Sequence, residues 1–351
     1  MSYTSSTQQS MIVILLLVVG AMAEKSLSLV LTGSKTSSSV VHAKLSNTGD
    51  EQLKLLNDPQ SLLSRAPTDS FIFTLGNDDS SPFFNGMKFK YSPSYAAQNG
   101  DASSFTTLKP GDSIEVEHEL ASAYAFGPEE YLYGISAKND YYHLDESTGQ
   151  LENINAKVSS MSAKITVPDS RKARRSSPMD RRAQFSNCTN QEQAAIAKAV
   201  PSADIFANLS ASALYPDQNL YNKTLLQFST DGGPIYQTWF GQFAANRYKN
   251  ATGHFTNITR HPFENYTYAC NSEECTDTIF AYVFPDQFGT VNLCGAFWKA
   301  PLVGEDSQAG TLIHESTHFF AVAGTVDIVY GAKKAAQLAA TNPLLALGNA
   351  G

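Results

Sequence analysis

Residues 311–331 read Thr-Leu-Ile-His-Glu-Ser-Thr-His-Phe-Phe-Ala-Val-Ala-Gly-Thr-Val-Asp-Ile-Val-Tyr-Gly. Within this stretch His314, Glu315 and His318 form an H-E-x-x-H pattern. Residues four apart on a helix lie one turn apart on the same side, so both imidazoles would point in one direction. The apolar neighbours predict a helix packed deep in its domain, with Asp306 or Ser307 as its N-cap. Since buried imidazoles need partners, the pattern predicts half of a zinc site.

The sequence after His318 narrows the choice of a third metal ligand. A metzincin carries Gly three residues and His six residues after this histidine, where this chain has Ala321 and Gly324. A thermolysin-like enzyme takes a Glu from a later helix, but no Glu follows Glu315. Asp327 is the one carboxylate side chain left downstream, and a turn at the glycine could fold it back towards the metal. By elimination, Asp327 joins the two histidines as the third predicted ligand.

The H-E-x-x-H followed by G-T-x-D-x-x-Y-G resembles the aspzincin (deuterolysin) metalloendopeptidases. Within that family, three further segments are similar to the fungal peptidyl-Lys metalloendopeptidases, namely Tyr236–Gly241, Phe288–Pro301 and Asp306–Thr311. The resemblance covers roughly residues 185–350 and implies an α+β zincin-like fold, one Zn²⁺ per chain and hydrolysis of protein or peptide substrates. It also implies that Tyr330 donates to the oxyanion, while Glu315, beside the ligands, acts as general base.

One position departs from the pattern of the family. Relatives continue past the last helix with Asn-Ala-Asp and further acidic residues that help to bind a substrate lysine, whereas this sequence reads Gly348-Asn-Ala-Gly351. We therefore expect cleavage on the amino side of lysine or, as the alternative, general deuterolysin-like cleavage without lysine preference. Asp286 or Glu305 could supply the carboxylate that the pattern lacks.

Residues 1–23 predict a secretory signal peptide. An apolar run from Met11 to Val19 leads to an Ala-x-Ala site before Glu24, and the run is too short to cross a bilayer. Because no Lys or Arg precedes the run, a retained signal anchor is the alternative. We expect a secreted, extracellular protein without membrane contact after signal removal.

Residues 24–170 predict an all-β, immunoglobulin-like pro-domain of about seven strands, because short alternating segments are separated by turn signals. The segments are Ser26–Leu31, Val40–Leu45, Phe71–Leu75, Met87–Tyr91, Ser113–Glu117, Tyr131–Ile135 and Ala163–Val167. The region resembles the pro-segment of the family in pattern more than in motif. It contains no cysteine that could block the metal, so we expect an intramolecular inhibitor or chaperone that covers the cleft.

Residues 171–182 predict a dibasic processing linker. Arg174–Arg175 and Arg181–Arg182 stand among Ser, Pro and Asp, where a dibasic processing protease of the secretory pathway cuts; a solvated linker is the alternative. Nucleic-acid binding is not expected, since residues 183–351 carry 8 Lys+Arg minus 13 Asp+Glu, or −5.

We predict that residues 183–351 form the zinc metalloendopeptidase domain. All four cysteines and six N-x-S/T sequons lie in this half, which indicates that the protein follows a secretory route. The candidate glycosylation sites are Asn187, Asn208, Asn222, Asn250, Asn257 and Asn265. Three disulfide pairings of Cys188, Cys270, Cys275 and Cys294 are open from the residues alone. The resemblance implies Cys188 with Cys270 and Cys275 with Cys294.

Periodicity places the remaining elements of this half. Helices are predicted over 191–214, with a kink or break at Pro201, over 236–248 and over 333–341; strands are predicted over 278–284 and 290–294. Two other kinds of protein remain as alternatives at this point. One is a non-catalytic secreted glycoprotein that contains zinc, and the other is an adhesive protein built on the β-sandwich.

Overall fold

The computed structural model describes residues 24–75, 82–126, 131–165, 183–214 and 232–350. The predicted signal peptide and the dibasic linker lie outside these residues. None of the helices in the described ranges is long and apolar enough to cross a membrane.

The strands, numbered in chain order, are β1 (Leu27–Gly33), β2 (Val40–Asn47), β3 (Leu53–Leu56), β4 (Phe71–Leu75), β5 (Phe83–Phe84), β6 (Lys88–Tyr91), β7 (Phe105–Leu108), β8 (Ser113–Glu119), β9 (Tyr124–Ala125), β10 (Tyr131–Ala137), β11 (Asp140–Asp145), β12 (Gln150–Ser159), β13 (Met161–Ile165), β14 (Gln184–Ser186), β15 (Thr267–Cys270), β16 (Ile279–Val283) and β17 (Thr290–Leu293). The α-helices are α1 (Pro93–Asn99), α2 (Asn190–Leu214), α3 (Gly233–Phe240), α4 (Ala245–Arg260), α5 (Gly295–Lys299), α6 (Gln308–His318), α7 (Ala332–Thr341) and α8 (Pro343–Leu347). Short 3-10 helices cover Ala102–Ser104, Leu120–Ser122 and Phe263–Asn265.

Two sheets of the N-terminal half enclose one apolar core. A seven-stranded sheet has the order β7-β3-β11-β12-β1-β2-β8, and a three-stranded sheet has the order β13-β10-β4. Leu29, Phe73 and Ile135 come from different strands of the two sheets and meet in this core. Side chains along β1 alternate between buried and exposed positions, which is the period that predicted a strand. The half is mostly β, as predicted, while its immunoglobulin-like arrangement stays a prediction.

The strand β6 does not join the sandwich, where we expected it. It is the last strand of a five-stranded sheet, β14-β15-β17-β16-β6, whose other members all come from the C-terminal half. β6 runs antiparallel to β16, with Phe89 opposite Tyr282 and Lys90 opposite Ala281. Phe89 and Tyr91 are buried against that sheet in a cluster with Ile279 and Tyr282. The N-terminal half therefore covers the sheet edge that β16 would otherwise expose.

Three helices of the C-terminal half, α2, α4 and α5, pack against α6. Leu312 of α6 lies in an apolar cluster with Phe297, Phe319 and residues of α2 and the sheet. The helix α2 is continuous through Pro201. The predicted helix over 236–248 is instead two helices, because Gly241 has a φ of 73° and ends α3.

Two disulfides tie this half together. Cys188 pairs with Cys270, and Cys275 pairs with Cys294, the pairing that the resemblance implied. The first bond joins residues 82 positions apart, so it connects the beginning of the half to the end of β15. In the chain-entropy picture such a long loop contributes about 4–5 kcal/mol to stability.

The buried His118 predicts how the stability of the N-terminal half depends on pH. Its ring packs edge-on against Phe71 at 5.3 Å between centroids, and its Nε2 has no hydrogen-bond partner among the described residues. Burial lowers the pKa of His118 from 6.5 to about 4, and Arg65 lowers it further, against a hydrogen bond to the Leu62 backbone. His118 is therefore protonated only at a lower pH in the folded chain than in the unfolded chain.

We expect the free energy of unfolding to fall as the pH falls from about 6.5 towards 4, by up to roughly 3 kcal/mol from this group. Urea unfolding followed by far-UV circular dichroism at pH 7 and pH 4.5 measures it. His118→Phe should lose the part of this difference that comes from His118, whereas His42→Phe, at a half-buried position on β2, should keep it. Identical pH dependence in wild type and His118→Phe would contradict the prediction.

Candidate active site

The helix α6 presents the first two predicted metal ligands. It begins at Ser307, whose Oγ accepts a hydrogen bond from the Gly310 N–H at 3.1 Å and so acts as the N-cap. His314 and His318 lie one turn apart, with their Nε2 atoms 3.2 Å from each other. The helix ends at His318, so the chain turns away directly after the second ligand.

The turn after α6 brings Asp327 to both histidines. Gly324 has a φ of 60°, a left-handed conformation that glycine adopts without a steric penalty. Asp327 Oδ1 lies 3.1 Å from His314 Nε2, and Oδ2 lies 3.4 Å from His318 Nε2. One ligand atom from each of the three residues lies within 4.8 Å of the others, so the predicted triad converges on one point.

The protonation states and hydrogen bonds of these three residues suit a bound cation. His318 Nδ1 donates to the Thr325 carbonyl at 2.9 Å, which leaves the lone pair on Nε2. Burial lowers the pKa of His318 to about 4 and also lowers that of His314, so both rings are neutral at pH 7. Asp327 Oδ1 is buried without a hydrogen-bond partner in the described part of the chain. The His318 lone pair, a second neutral imidazole and a buried carboxylate oxygen together suit a metal that takes nitrogen and oxygen ligands, as zinc does.

Glu315 is fully buried next to the triad. Its Oε1 accepts a hydrogen bond from the Lys90 backbone N–H at 2.9 Å, and its Oε2 has no partner among the described residues. Burial raises the pKa of Glu315 well above its usual range, and the nearby charge of Asp327 raises it further. A carboxylate with a raised pKa beside the metal ligands has the properties of a general base.

Tyr330 directs its phenol into the same site. The hydroxyl donates to the Phe89 carbonyl at 3.1 Å and accepts from Gln60 Nε2 at 2.5 Å. Gln60 Nε2 also donates to Asp327 Oδ2 at 3.2 Å. Burial raises the pKa of Tyr330 well above its usual range, so the phenol keeps its proton. Tyr330 is therefore a hydrogen-bond donor beside the predicted triad, as its predicted role requires.

Three residues at the site were not predicted from the sequence, and all come from the N-terminal half. They are Gln60, Phe89 and Lys90, whose contacts with the C-terminal half are described above. The Lys90 ammonium also lies 3.3 Å from Asp306 Oδ1, so Asp306 has a partner that its prediction as a possible helix cap did not suggest. No local motif marks these residues. The one usable signal was the alternation at Met87–Tyr91, which predicts a strand but does not specify its sheet.

Residues of both halves line a cavity of about 920 Å³ beside the triad. Its lining includes Lys90, Asp306, His314 and Tyr330, together with side chains from α2, α3 and α4. The site therefore opens into a space large enough for side chains of a peptide.

The other predicted sites divide between described and undescribed residues. The sequons at Asn187, Asn208, Asn250, Asn257 and Asn265 are described, whereas Asn222 and the processing arginines Arg174, Arg175, Arg181 and Arg182 lie outside the described ranges. Asn257 Nδ2 donates to the Val322 carbonyl at 2.8 Å, so a glycan on this nitrogen would require that contact to break.

Comparison with known proteins assigns the chain to a family. The sequence model of a family described as "Lysine-specific metallo-endopeptidase" matches residues 226–351. The peptidyl-Lys metalloendopeptidase of Armillaria mellea is 38% identical over 338 residues, which cover 95% of this chain and 91% of that protein. The chain belongs to the aspzincin metalloendopeptidase family. This aspzincin is accordingly an enzyme that hydrolyses peptide bonds.

Other relatives of this aspzincin are similar over most of its length. The peptidyl-Lys metalloendopeptidase of Grifola frondosa is 37% identical over 97% of this chain and 94% of that protein. The extracellular protease of Aeromonas hydrophila is 33% identical over 88% of this chain and 85% of that protein. Among solved structures, a zinc peptidase from Grifola frondosa is 41% identical and covers 46% of this chain and 91% of that chain, with a TM-score of 0.41.

The geometry of the triad predicts separate effects for two neighbouring residues of this aspzincin. Asp327→Ala removes a predicted ligand, so zinc affinity should fall by at least about 100-fold, more than the usual loss of an outer-shell partner. Tyr330→Phe removes a donor that is not a ligand, so it should keep zinc and lose mainly kcat. The two variants are distinguished by the zinc that each retains after dialysis against increasing concentrations of a chelator. Inductively coupled plasma mass spectrometry measures this zinc content. Equal zinc content in wild type and Asp327→Ala would show that another carboxylate binds the metal.

Proposed function

We propose that this chain is the precursor of a secreted zinc endopeptidase that cleaves proteins on the amino side of lysine. One observation carries the catalytic part of the proposal: two neutral imidazoles and a carboxylate converge on one point, and a buried acid and a phenol beside them contact a single peptide unit next to a cavity. The five groups belong to His314, His318, Asp327, Glu315 and Tyr330.

The chemistry follows from the role of each group. Zinc, when bound by the two histidines and Asp327, lowers the pKa of water and polarises the substrate carbonyl. Glu315 takes the proton from the attacking water and carries it to the leaving amine. Tyr330 donates to the oxygen of the substrate carbonyl as negative charge develops there. Thr325 holds the His318 ring in the orientation and tautomer that a ligand needs.

Two comparisons support lysine as the residue after the cut. The matching family is described as lysine-specific, and two relatives that align over most of the chain are named for peptidyl-Lys cleavage. General deuterolysin-like cleavage without lysine preference is the second candidate. Gly351 favours this second candidate, because the family pattern has an acidic residue at that position.

Several features support secretion and synthesis as a zymogen. The signal pattern at 1–23, the six sequons and the two disulfides suit a secretory route, and one relative is named an extracellular protease. In the proposed organisation, the pro-domain is residues 24–170, the processing linker is 171–182 and the enzyme is 183–351. The pro-domain inhibits by covering the cleft, since β6 lies on the sheet edge beside the site.

Glu315→Gln is expected to reduce kcat by a factor of about 10² to 10⁴, because the amide cannot accept the proton of water. The variant should still bind about one zinc, since Glu315 is not a ligand. Mass spectrometry of peptides released from a protein substrate, with and without chelator, measures both rate and cleavage site. The matched control, Glu273→Gln on the surface, should behave as wild type. Wild-type turnover by Glu315→Gln would refute the mechanism.

Latency is tested at the processing linker. Replacing Arg174, Arg175, Arg181 and Arg182 by Ser should leave a secreted chain that binds zinc but hydrolyses almost nothing, because no processing protease can cut it. A dibasic protease added to the wild-type precursor should release activity and a new N-terminus before Phe185. Full activity of the four-Ser chain would show that residues 24–170 do not inhibit.

A further inference from the structure

We propose that β6 is a substrate mimic, in which the Phe89–Lys90 peptide bond occupies the position of the bond to be cut and Asp306 is the acid that recognises the lysine after it. The inference rests on the proposed function. It assigns the lysine preference of that function to a residue of this chain, and it explains how the N-terminal half inhibits.

The first argument concerns the two hydrogen bonds of a single peptide unit. The Phe89 carbonyl accepts from the Tyr330 hydroxyl at 3.1 Å, and the Lys90 N–H donates to Glu315 Oε1 at 2.9 Å. These partners are the groups that the mechanism assigns to the substrate carbonyl and to the leaving amine. The C=O and the N–H belong to the same amide. The Phe89–Lys90 bond therefore contacts both proposed catalytic groups through one amide.

The second argument is the identity of the residue on the amine side of this bond. Lys90 directs its ammonium to Asp306 Oδ1 at 3.3 Å, and the ammonium also lies 5.8 Å from the centre of the Phe280 ring. The Lys90 side chain is only 13% exposed. A half-enclosed carboxylate and an aromatic face together form a pocket that favours a cation on an apolar stem. An uncharged side chain there would leave Asp306 unpaired.

The third argument is the direction of the strand. β6 adds to β16 in antiparallel register, which is how an extended peptide extends an exposed sheet edge.

The other lysine of β6, Lys88, lies two residues before Lys90. Its ammonium lies 3.9 Å from Asp69 and above the Phe84 ring at 4.4 Å. Of the two lysines on β6, Lys90 is thus the one whose ammonium pairs with an acid of the C-terminal half.

Asp306 is free for this task because Ser307 caps α6. Asp306 has a φ of 48°, a left-handed conformation that few residues other than Gly, Asn and Asp tolerate. The backbone thus holds its carboxylate at the cavity. Asp286, which we considered from the sequence, is exposed, and Glu305 lines the cavity but forms no ion pair with Lys90 in the described residues.

The test uses the full-length, uncut chain loaded with zinc and a quenched fluorescent peptide that contains one Ala–Lys bond. Lys90→Met keeps the length of the side chain and removes its charge, so the uncut chain should hydrolyse the peptide at least 10-fold faster than uncut wild type. Lys90→Arg, which can still pair with Asp306, should stay within about threefold of wild type. Lys54→Met is the matched control, because Lys54 pairs with Glu146 at 2.8 Å on the sandwich surface.

Asp306→Asn tests the same ion pair from the other side. Asn adopts left-handed backbone readily, so the change removes charge without straining the loop. With an Ala–norleucine peptide, whose hydrolysis does not depend on the charge of Asp306, it should also release activity in the uncut chain. Measured with the same peptide, the release in the Lys90→Met/Asp306→Asn double variant should be smaller than the product of the two single effects, because both changes remove one contact. Asp277→Asn, which breaks the surface pair with Lys299 at 2.8 Å, serves as the control.

Specificity provides a readout that a merely structural role of Asp306 would not change. In the Lys90→Met chain, kcat/KM for the Ala–Lys peptide should exceed that for an Ala–norleucine peptide at least 10-fold. Adding Asp306→Asn should remove most of that ratio, mainly by lowering the rate with the lysine peptide.

The results separate this inference from the function on which it rests. The inference alone is overturned if the chain cut at its Arg-Arg pairs hydrolyses the lysine peptide while uncut Lys90→Met stays as latent as wild type. An unchanged lysine-to-norleucine ratio in the Asp306→Asn variant overturns the role of Asp306. If no form hydrolyses peptide with zinc bound, the cut chain included, the proposed function falls and this inference falls with it.

Discussion

Two imidazole nitrogens lie 3.2 Å apart with a carboxylate beside them in a fully buried site, and much of the C-terminal half serves to hold them there. Such groups cost several kcal/mol when desolvated unless a cation or hydrogen bonds compensate them. The fold meets this requirement with a capped helix that ends at the second histidine, a glycine turn that returns the carboxylate, and the Thr325 carbonyl that fixes one ring. Each of these features is local, and together they place three potential ligand atoms close enough to share one metal.

The position of the site at a sheet edge gives a reason for the contact between the two halves. A zincin-like site needs an open edge strand beside its metal, and an open edge is also where a chain aggregates or is occupied by another strand. Here β6 completes the sheet, while its backbone forms hydrogen bonds with Glu315 Oε1 and the Tyr330 hydroxyl. By pairing with β16, β6 therefore shields the sheet edge from other strands and also occupies the site.

On our proposal, the Lys90–Asp306 pair links inhibition to specificity. An acid that favours a substrate lysine also favours an inhibitory strand that carries one, so a change at Asp306 alters both properties in the same direction. The pair is partly exposed, and one such contact supplies a modest free energy. Latency of the uncut chain therefore also depends on the covalent link, which keeps β6 at high effective concentration, and on the buried Phe89 and Tyr91.

The sequence by itself determined the triad and much of the secondary structure. The spacing of His314 and His318 makes them neighbours on any helix, and the absence of other acids downstream left Asp327. Alternation likewise located most of the longer strands of the sandwich, but it missed β11 and the largely polar β12. Only the tertiary structure decided that β6 belongs to the catalytic sheet, because the alternation of a strand is the same whichever edge it joins. Lys90 and Glu315 meet across 225 positions, and such a contact depends on how two folded halves pack, which no local pattern encodes.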